Sequence, residues 1–168
     1  MRKLLAIGFT LFLTASLHAQ EVNWVTFEEA IELNKKEPRK LLIDLYTDWC
    51  GWCKRMDRDT YSDPSVIEVI NKKYYAVKFN AEQEDPVQLE EHTFNFVPNG
   101  RRGYHELAAA LTNNKLSYPT TVFMDEEIRI IQPIAGYMKP VDFLPILKFI
   151  GEDHFKTTSW EQYTAANE

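Results

Sequence analysis

The chain has 168 residues, about the length of one domain, and its 45% hydrophobic and 13% aromatic content suits a packed globular core rather than a disordered segment. A formal net charge of -6, with no basic stripe, excludes a general nucleic-acid binder. The only two cysteines, Cys50 and Cys53, lie too close in sequence to staple a fold, because so short a loop stabilises little when closed.

The N-terminus reads as a secretory signal. Arg2 and Lys3 precede Leu4–Leu17, an uncharged and mostly apolar run. That run is shorter than the roughly 20 residues a membrane-spanning helix needs. Residues 1–20 are therefore expected to be removed on export, near Ala19 or Gln20, leaving 21–168 as one domain. A retained membrane anchor is the rival reading. No cysteine lies at the end of the run, so lipoprotein acylation is excluded.

Thr26-Phe27-Glu28-Glu29 fits a capping box and opens a helix to about Lys36, with Phe27, Ala30, Ile31 and Asn34 on one side. Glu37-Pro38 ends it. Lys40–Tyr46 (KLLIDLY) is the nearly continuous apolar run expected of a strand covered on both faces, broken only by Asp44. Cys50 to about Thr60 reads as a helix. Asp63 caps the next, with Pro64 at its first position and Val66, Ile67, Val69 and Ile70 on its buried side. Lys35-Lys36 and Lys72-Lys73 suit the negative ends of their helices. Tyr74–Asn80 is a second strand.

The pattern from Asn80 to Ser117 is less regular. Val87–Val97 is expected to form one hairpin turning at Glu90-Glu91, and Gly103–Leu111 a helix. Arg101-Arg102, between Gly100 and Gly103, reads as a surface turn. Strands at Thr120–Met124 and Ile128–Gln132 should flank a turn at Asp125-Glu126-Glu127. Pro140–Ile150 should close the domain as a helix kinked or delayed by Pro145. Ser159-Trp160-Glu161-Gln162 caps a short helix within a C-terminal extension, about 152–168. This order implies an α/β layered domain.

Cys-x-x-Cys at a helix start has a physical logic. Unpaired N–H groups and the helix dipole favour a thiolate at Cys50, and the three-residue offset brings the Cα atoms within disulfide range. Cys50 should attack, being the more accessible, and Cys53 should resolve from the next turn. Asp48 opposes the thiolate. A carboxyl group in a buried strand is costly unless paired or neutral, so Asp44 is either a proton carrier or an outward-facing residue at the strand's wet end. Two thiols fall short of a structural zinc site, and His92, His105 and His154 fit no ligand spacing; each is expected at the surface or in a hydrogen bond. Trp52 should be exposed and suited to partner contact.

LLIDLYTDWCGWCK resembles the active-site strand and helix of the thioredoxin superfamily, Tyr118-Pro119-Thr120 its cis-proline loop, and Gly136 the glycine after its last strand. The Ser62-Asp63-Pro64 break is similar to envelope members. The resemblance implies a thioredoxin fold: a central mixed sheet flanked by helices, with an insert, about 81–117, before the cis-proline loop and beside the active site. It implies Cys50 as nucleophile, Cys53 as resolving thiol, and Asp44 beneath Cys53 as its proton acceptor with Lys78 nearby. Trp49 would pack beside the disulfide and Pro119 would face it after a cis Tyr118–Pro119 bond. The activity implied is reduction of disulfides in envelope partner proteins by a monomeric periplasmic protein fed by an upstream electron donor. Its only redox group would be the Cys50–Cys53 disulfide, with no metal, nucleic acid or, after signal cleavage, membrane. The Gly-Trp dipeptide between the cysteines and the insert depart from ordinary thioredoxins. Alternatives are a partner-binding module with a redox-idle cysteine pair and a dithiol metal carrier.

Overall fold

A computed structural model describes residues 21–167. The apolar N-terminal run, and with it the expected signal and cleavage point, lies outside them. Among the described residues no helix is long and apolar enough to cross a membrane.

Strand β1 (Trp24–Val25) leads into helix α1 (Phe27–Lys36), whose capping box forms as the sequence requires: the Thr26 hydroxyl accepts the Glu29 N–H, and the Glu29 carboxylate accepts the Thr26 N–H. Strand β2 (Lys40–Tyr46), helix α2 (Gly51–Asp59), helix α3 (Pro64–Lys73) and strand β3 (Tyr74–Asn80) follow. Asp63 caps α3 by accepting from Ser65 and Val66. Two small hairpins come next, β4 (Val87–Leu89) with β5 (His92–Phe94) and β6 (Phe96–Asn99) with β7 (Arg102–His105). Helix α4 (Glu106–Leu111), strands β8 (Thr120–Met124) and β9 (Ile130–Ala135), and helix α5 (Pro140–Gly151) complete the body, and α6 (Trp160–Ala165) closes the described chain.

The sheet runs β1-β3-β2-β8-β9, with β1, β3 and β2 parallel and β8 and β9 antiparallel. β2 lies at its centre, which is why its sequence is apolar on both faces. Strand alternation divides its side chains. Leu41, Ile43 and Leu45 join α1 and α4 in one core layer; Leu42 joins Met56 of α2, Ile67 and Ile70 of α3, and Phe143 and Leu147 of α5 in the other. Asp44 shares the parity of Leu42, so its carboxyl is directed to the α2 side. At the start of β2 the buried amine of Lys40 is held by Glu126 at 2.7 Å and Asp153 at 2.8 Å, tying the strand to the segment after α5.

Several elements differ from expectation. The segment Val87–Val97 is not one hairpin: the chain turns at Glu90-Glu91, with Glu90 at φ 53°, and then again at Gly100-Arg101. Gly103–His105 is strand rather than helix, because residues 102–105 pair with 96–99 and leave α4 to start at Glu106. Arg102 is therefore a strand residue. The last strand begins at Ile130, not Ile128, because Asp125 folds a wider loop around its own carboxylate, which accepts the Glu127 and Arg129 N–H groups, while Ile128 adopts φ 63°. Pro145 does not delay α5, which starts at Pro140 and runs through it. Val69 is only partly buried.

His105 pins the second hairpin. Its Nδ1 accepts the Leu107 N–H at 3.2 Å, so the ring proton sits on Nε2, 3.2 Å from the Asp85 carbonyl. Burial lowers its pKa, with the Asp85 carbonyl, Glu106 and Glu28 acting in the opposite direction. A histidine depressed in the folded state contributes stability that is present above its ordinary value near ~6.5 and lost as pH falls below it. Amide hydrogen exchange of the two hairpins, corrected for intrinsic rate, should show protection falling by about 1 kcal/mol between pH 7.5 and 5.5. The substitution His105→Asn should abolish that dependence; equal pH dependence in both proteins would remove His105 as its source.

Candidate active site

Thr47 ends the turn out of β2: its carbonyl accepts the Cys50 N–H at 3.0 Å. Cys50 is the N-cap of α2 rather than a helical residue, and its Sγ accepts the Cys53 N–H at 3.1 Å. The two sulfurs form a disulfide with Cα atoms 5.3 Å apart. The capping contact is the one a thiolate at Cys50 would use, a charge-assisted bond at the positive end of a helix. Accessibility does not separate the two cysteines as expected. Cys50 is 4% exposed and Cys53 2%. What distinguishes them is position on the helix.

Beneath α2 lies a buried charge cluster. Asp44 is 1% exposed, which excludes the outward-facing reading. The Lys78 ammonium donates to Asp44 Oδ2 at 2.7 Å and to the carboxylate of Asp57. Asp57 is one helical turn beyond Cys53 on α2, so both lie on one face. Sharing one ammonium links Asp44 to α2 through Asp57. Asp44 Oδ1 has no protein partner among the described residues. Burial raises the Asp44 pKa, the Lys78 charge partly offsets this, and the nearby Asp57 charge adds to the rise. Lys78 is pulled down by burial, but Asp44 and Asp57 more than offset that and hold it charged. The Lys78 amine also lies 5.1 to 5.3 Å from the ring centres of Trp24, Tyr46 and Tyr61. Trp24, Asp57, Tyr61 and Lys78 line an open cleft of about 510 Å³, through which solvent reaches the cluster.

Around the disulfide the surface is aromatic. Trp49 is 51% and Trp52 55% exposed. Trp49 donates its indole N–H to Glu82 at 2.9 Å and stands edge-on to Tyr118, with ring centres 6.1 Å apart. Trp52 packs against Tyr137 with Arg55 over both rings. The Tyr118–Pro119 bond is cis, and the Pro119 carbonyl accepts the N–H of Gly136, which lies just past β9 at a φ of 102° that favours glycine. The structure thus places Cys50 and Cys53 at the start of α2 and the Asp44–Lys78 pair of β2 and β3 on the α2 side of the sheet, with Trp49 joined to Tyr118 and Pro119 joined to Gly136.

A family described as thioredoxin-like matches residues 23–125, most of the chain. The chain belongs to the thioredoxin-like family. This family match accounts for the order of strand, Cys-x-x-Cys helix and cis-proline loop. The chain is 38% identical over 56 residues to a thiol:disulfide interchange protein DsbD of Pectobacterium atrosepticum, covering 32% of this chain and 10% of that protein. An uncharacterized protein of Archaeoglobus fulgidus is 26% identical over 133 residues, covering 77% of this chain and 94% of it. Among solved structures, the DsbH oxidoreductase superposes with a TM-score of 0.59 at 19% identity, over 87% of this chain and 95% of that one. These thioredoxin-like relatives include thiol–disulfide oxidoreductases, and the cysteine pair their chemistry requires is present here. The chain spans only a small part of the length of the DsbD protein it matches.

Sequence reasoning missed several residues. Asp57 is a carboxylate one turn from Cys53, and its link to Asp44 through Lys78 exists only in the tertiary fold. Arg102 and Glu82, both from the insert, reach Trp49, and only the tertiary fold reveals that. Among the described residues no group of acidic, histidine or cysteine side chains is arranged to hold a metal.

Proposed function

We propose that this protein is an exported, monomeric thiol–disulfide oxidoreductase that reduces disulfides of envelope partner proteins. Its N-terminal signal run would direct it to the periplasm. The observation that carries the reading is Cys50 capping α2 through its sulfur, with a buried carboxyl group, Asp44, on the α2 side of the sheet. The Cys50 thiolate attacks a partner disulfide, forming a mixed disulfide and releasing the first partner sulfur as thiolate. Asp44 takes the Cys53 proton, and the Cys53 sulfur displaces the second partner sulfur from Cys50. Two electrons pass to the partner, and the protein is left as the disulfide. An upstream dithiol donor restores it. Trp49, Trp52, Tyr118 and Pro119 would contact the partner, while Lys78 holds Asp44 and Gly136 supports the Pro119 loop. The disulfide is the only redox group this cycle needs.

Equilibration of residues 21–168 with glutathione tests this. A reversible two-electron couple is expected, nearer the ~-270 mV of reducing thioredoxins than the ~-120 mV of strong oxidants. A potential at the oxidising end would reverse the direction. Immeasurably slow exchange would favour a redox-idle binding module, and stoichiometric metal in the reduced protein would favour a metal carrier.

A further inference from the structure

The second hairpin of the insert reaches the active site through one side chain. The guanidinium of Arg102, on β7, lies over the Trp49 ring at 4.3 Å. Trp49 in turn meets Tyr118, the residue before Pro119. Arg102, Trp49 and Tyr118 therefore form a row from the insert to the proline loop, along the Trp49 side of Cys50.

Arg102 is unusual within this molecule. Among the described residues Arg39 pairs with Glu37, Arg55 and Arg58 with Asp59, and Arg129 with Asp125 and Glu127. Arg101 and Arg102 have no described carboxylate within ion-pair distance, although the chain has 25 acidic residues against 19 basic ones. Arg102 is exposed, and its side chain donates no hydrogen bond to a described residue. A guanidinium stacked on an aromatic face keeps its in-plane N–H donors for a carboxylate. Glu82, the acidic neighbour of this row, is engaged by the Trp49 indole instead.

We propose that Arg102 is a specificity residue that binds a carboxylate in the partner's cysteine-bearing segment, so that disulfides flanked by Asp or Glu are preferred. Arg101, beside it at the hairpin turn, adds charge to the same end. The proposal rests on the exchange reaction proposed above and names the partner chemistry that reaction would select. It also gives the insert a purpose, since the hairpin delivers to the rim of the disulfide a cation that the thioredoxin core does not supply.

The test uses three synthetic disulfide peptides, identical except for Glu, Gln or Lys beside the cysteine, and 2-hydroxyethyl disulfide as an uncharged reference. At low ionic strength the reduced wild-type protein should react about fivefold faster with the Glu peptide than with the Lys peptide, the scale of an exposed ion pair. That ratio should shrink as salt is added. It should approach one in Arg102→Gln and be largely kept in Arg102→Lys, with folding of each variant checked by thermal melting. If a variant fails to fold, the salt dependence of the wild-type ratio decides alone. Equal rates with all three peptides, alongside normal reaction with the reference disulfide, would overturn the assignment to Arg102 but leave the exchange reaction standing. A preference for the Lys peptide would assign the reading to Glu82. No reaction with any disulfide, the reference included, would instead sink the exchange reading itself.

Discussion

Serine in place of Cys53 is expected to hold partners on the protein. Cys50 remains the N-cap of α2 and keeps the backbone N–H of residue 53 as a donor, so attack on a partner disulfide proceeds. The residue that would release the partner has lost its sulfur. Mixed disulfides should therefore accumulate, visible as adducts on non-reducing gels and cleaved by dithiothreitol, while multiple-turnover reduction of insulin falls by at least about a thousandfold. Serine in place of Cys50 should lose turnover to the same extent and trap nothing, because the remaining sulfur at Cys53 is not the one at the cap position that receives the first-turn N–H. The opposite pattern of trapping would exchange the two roles. Since Cys50 and Cys53 are almost equally covered, this result would trace the division of labour to helix position and not to solvent access.

Asparagine in place of Asp44 should stabilise the fold and slow the reaction. The two effects share a cause. Asp44 is held in a buried layer where its charge costs more than Lys78 returns, so its pKa is raised. A carboxyl group with a raised folded pKa binds a proton that the unfolded chain releases. Its cost therefore grows as pH climbs from about 4 through the folded value, and is constant above that. Asp44→Asn should thus be more stable than wild type by about 1–3 kcal/mol at pH 8, with the difference vanishing toward pH 4 in denaturant titrations. Lys78 is not stranded by the change, because Asp57 remains its partner. Resolution of the mixed disulfide should slow by about a hundredfold near neutral pH, through loss of the proton acceptor for Cys53. The first attack by Cys50 should change little. A variant with unaltered stability at pH 8 and unaltered turnover would place Asp44 outside the mechanism.

How far the sequence revealed the molecule depended on whether a signal was local. β2 and β3 were legible to the residue, because strands at the middle of a sheet are mostly apolar, here interrupted inside only by Asp44 and Lys78. The capped ends of α1, α3 and α6 were legible for the same reason: the atoms that satisfy a helix end lie within four residues of it. The Cys50 motif, Asp44, Lys78 and Pro119 were legible as a constellation through resemblance to thioredoxins. The insert was not. Its strands are short, its first turn uses Glu90-Glu91 rather than a favoured hairpin pair, and its helix-forming run at 106–111 extends in sequence toward a segment that strand pairing claims. The stacking of Arg102 on Trp49 joins residues brought together only by the tertiary fold.

The sheet pairs β2 directly with β8, so the whole span from α2 to the proline loop is already one long closed loop in the fold. Lengthening such a loop raises its closure entropy only logarithmically, by about 0.6 kcal/mol for each doubling. Two hairpins added between β3 and α4 therefore burden the core very little. Their ties to it gather at a few points: the Ala81 N–H donates to the Tyr46 carbonyl, the His105 N–H donates to the Ala81 carbonyl at 2.7 Å, Val87, Leu89 and Phe94 pack on the α1 layer, and Glu82 and Arg102 meet Trp49. A segment with so few ties can open on its own without unfolding the sheet. If, as proposed, Arg102 helps to read the partner, sequence drift in the hairpins can alter what is recognised while the cysteine pair stays set.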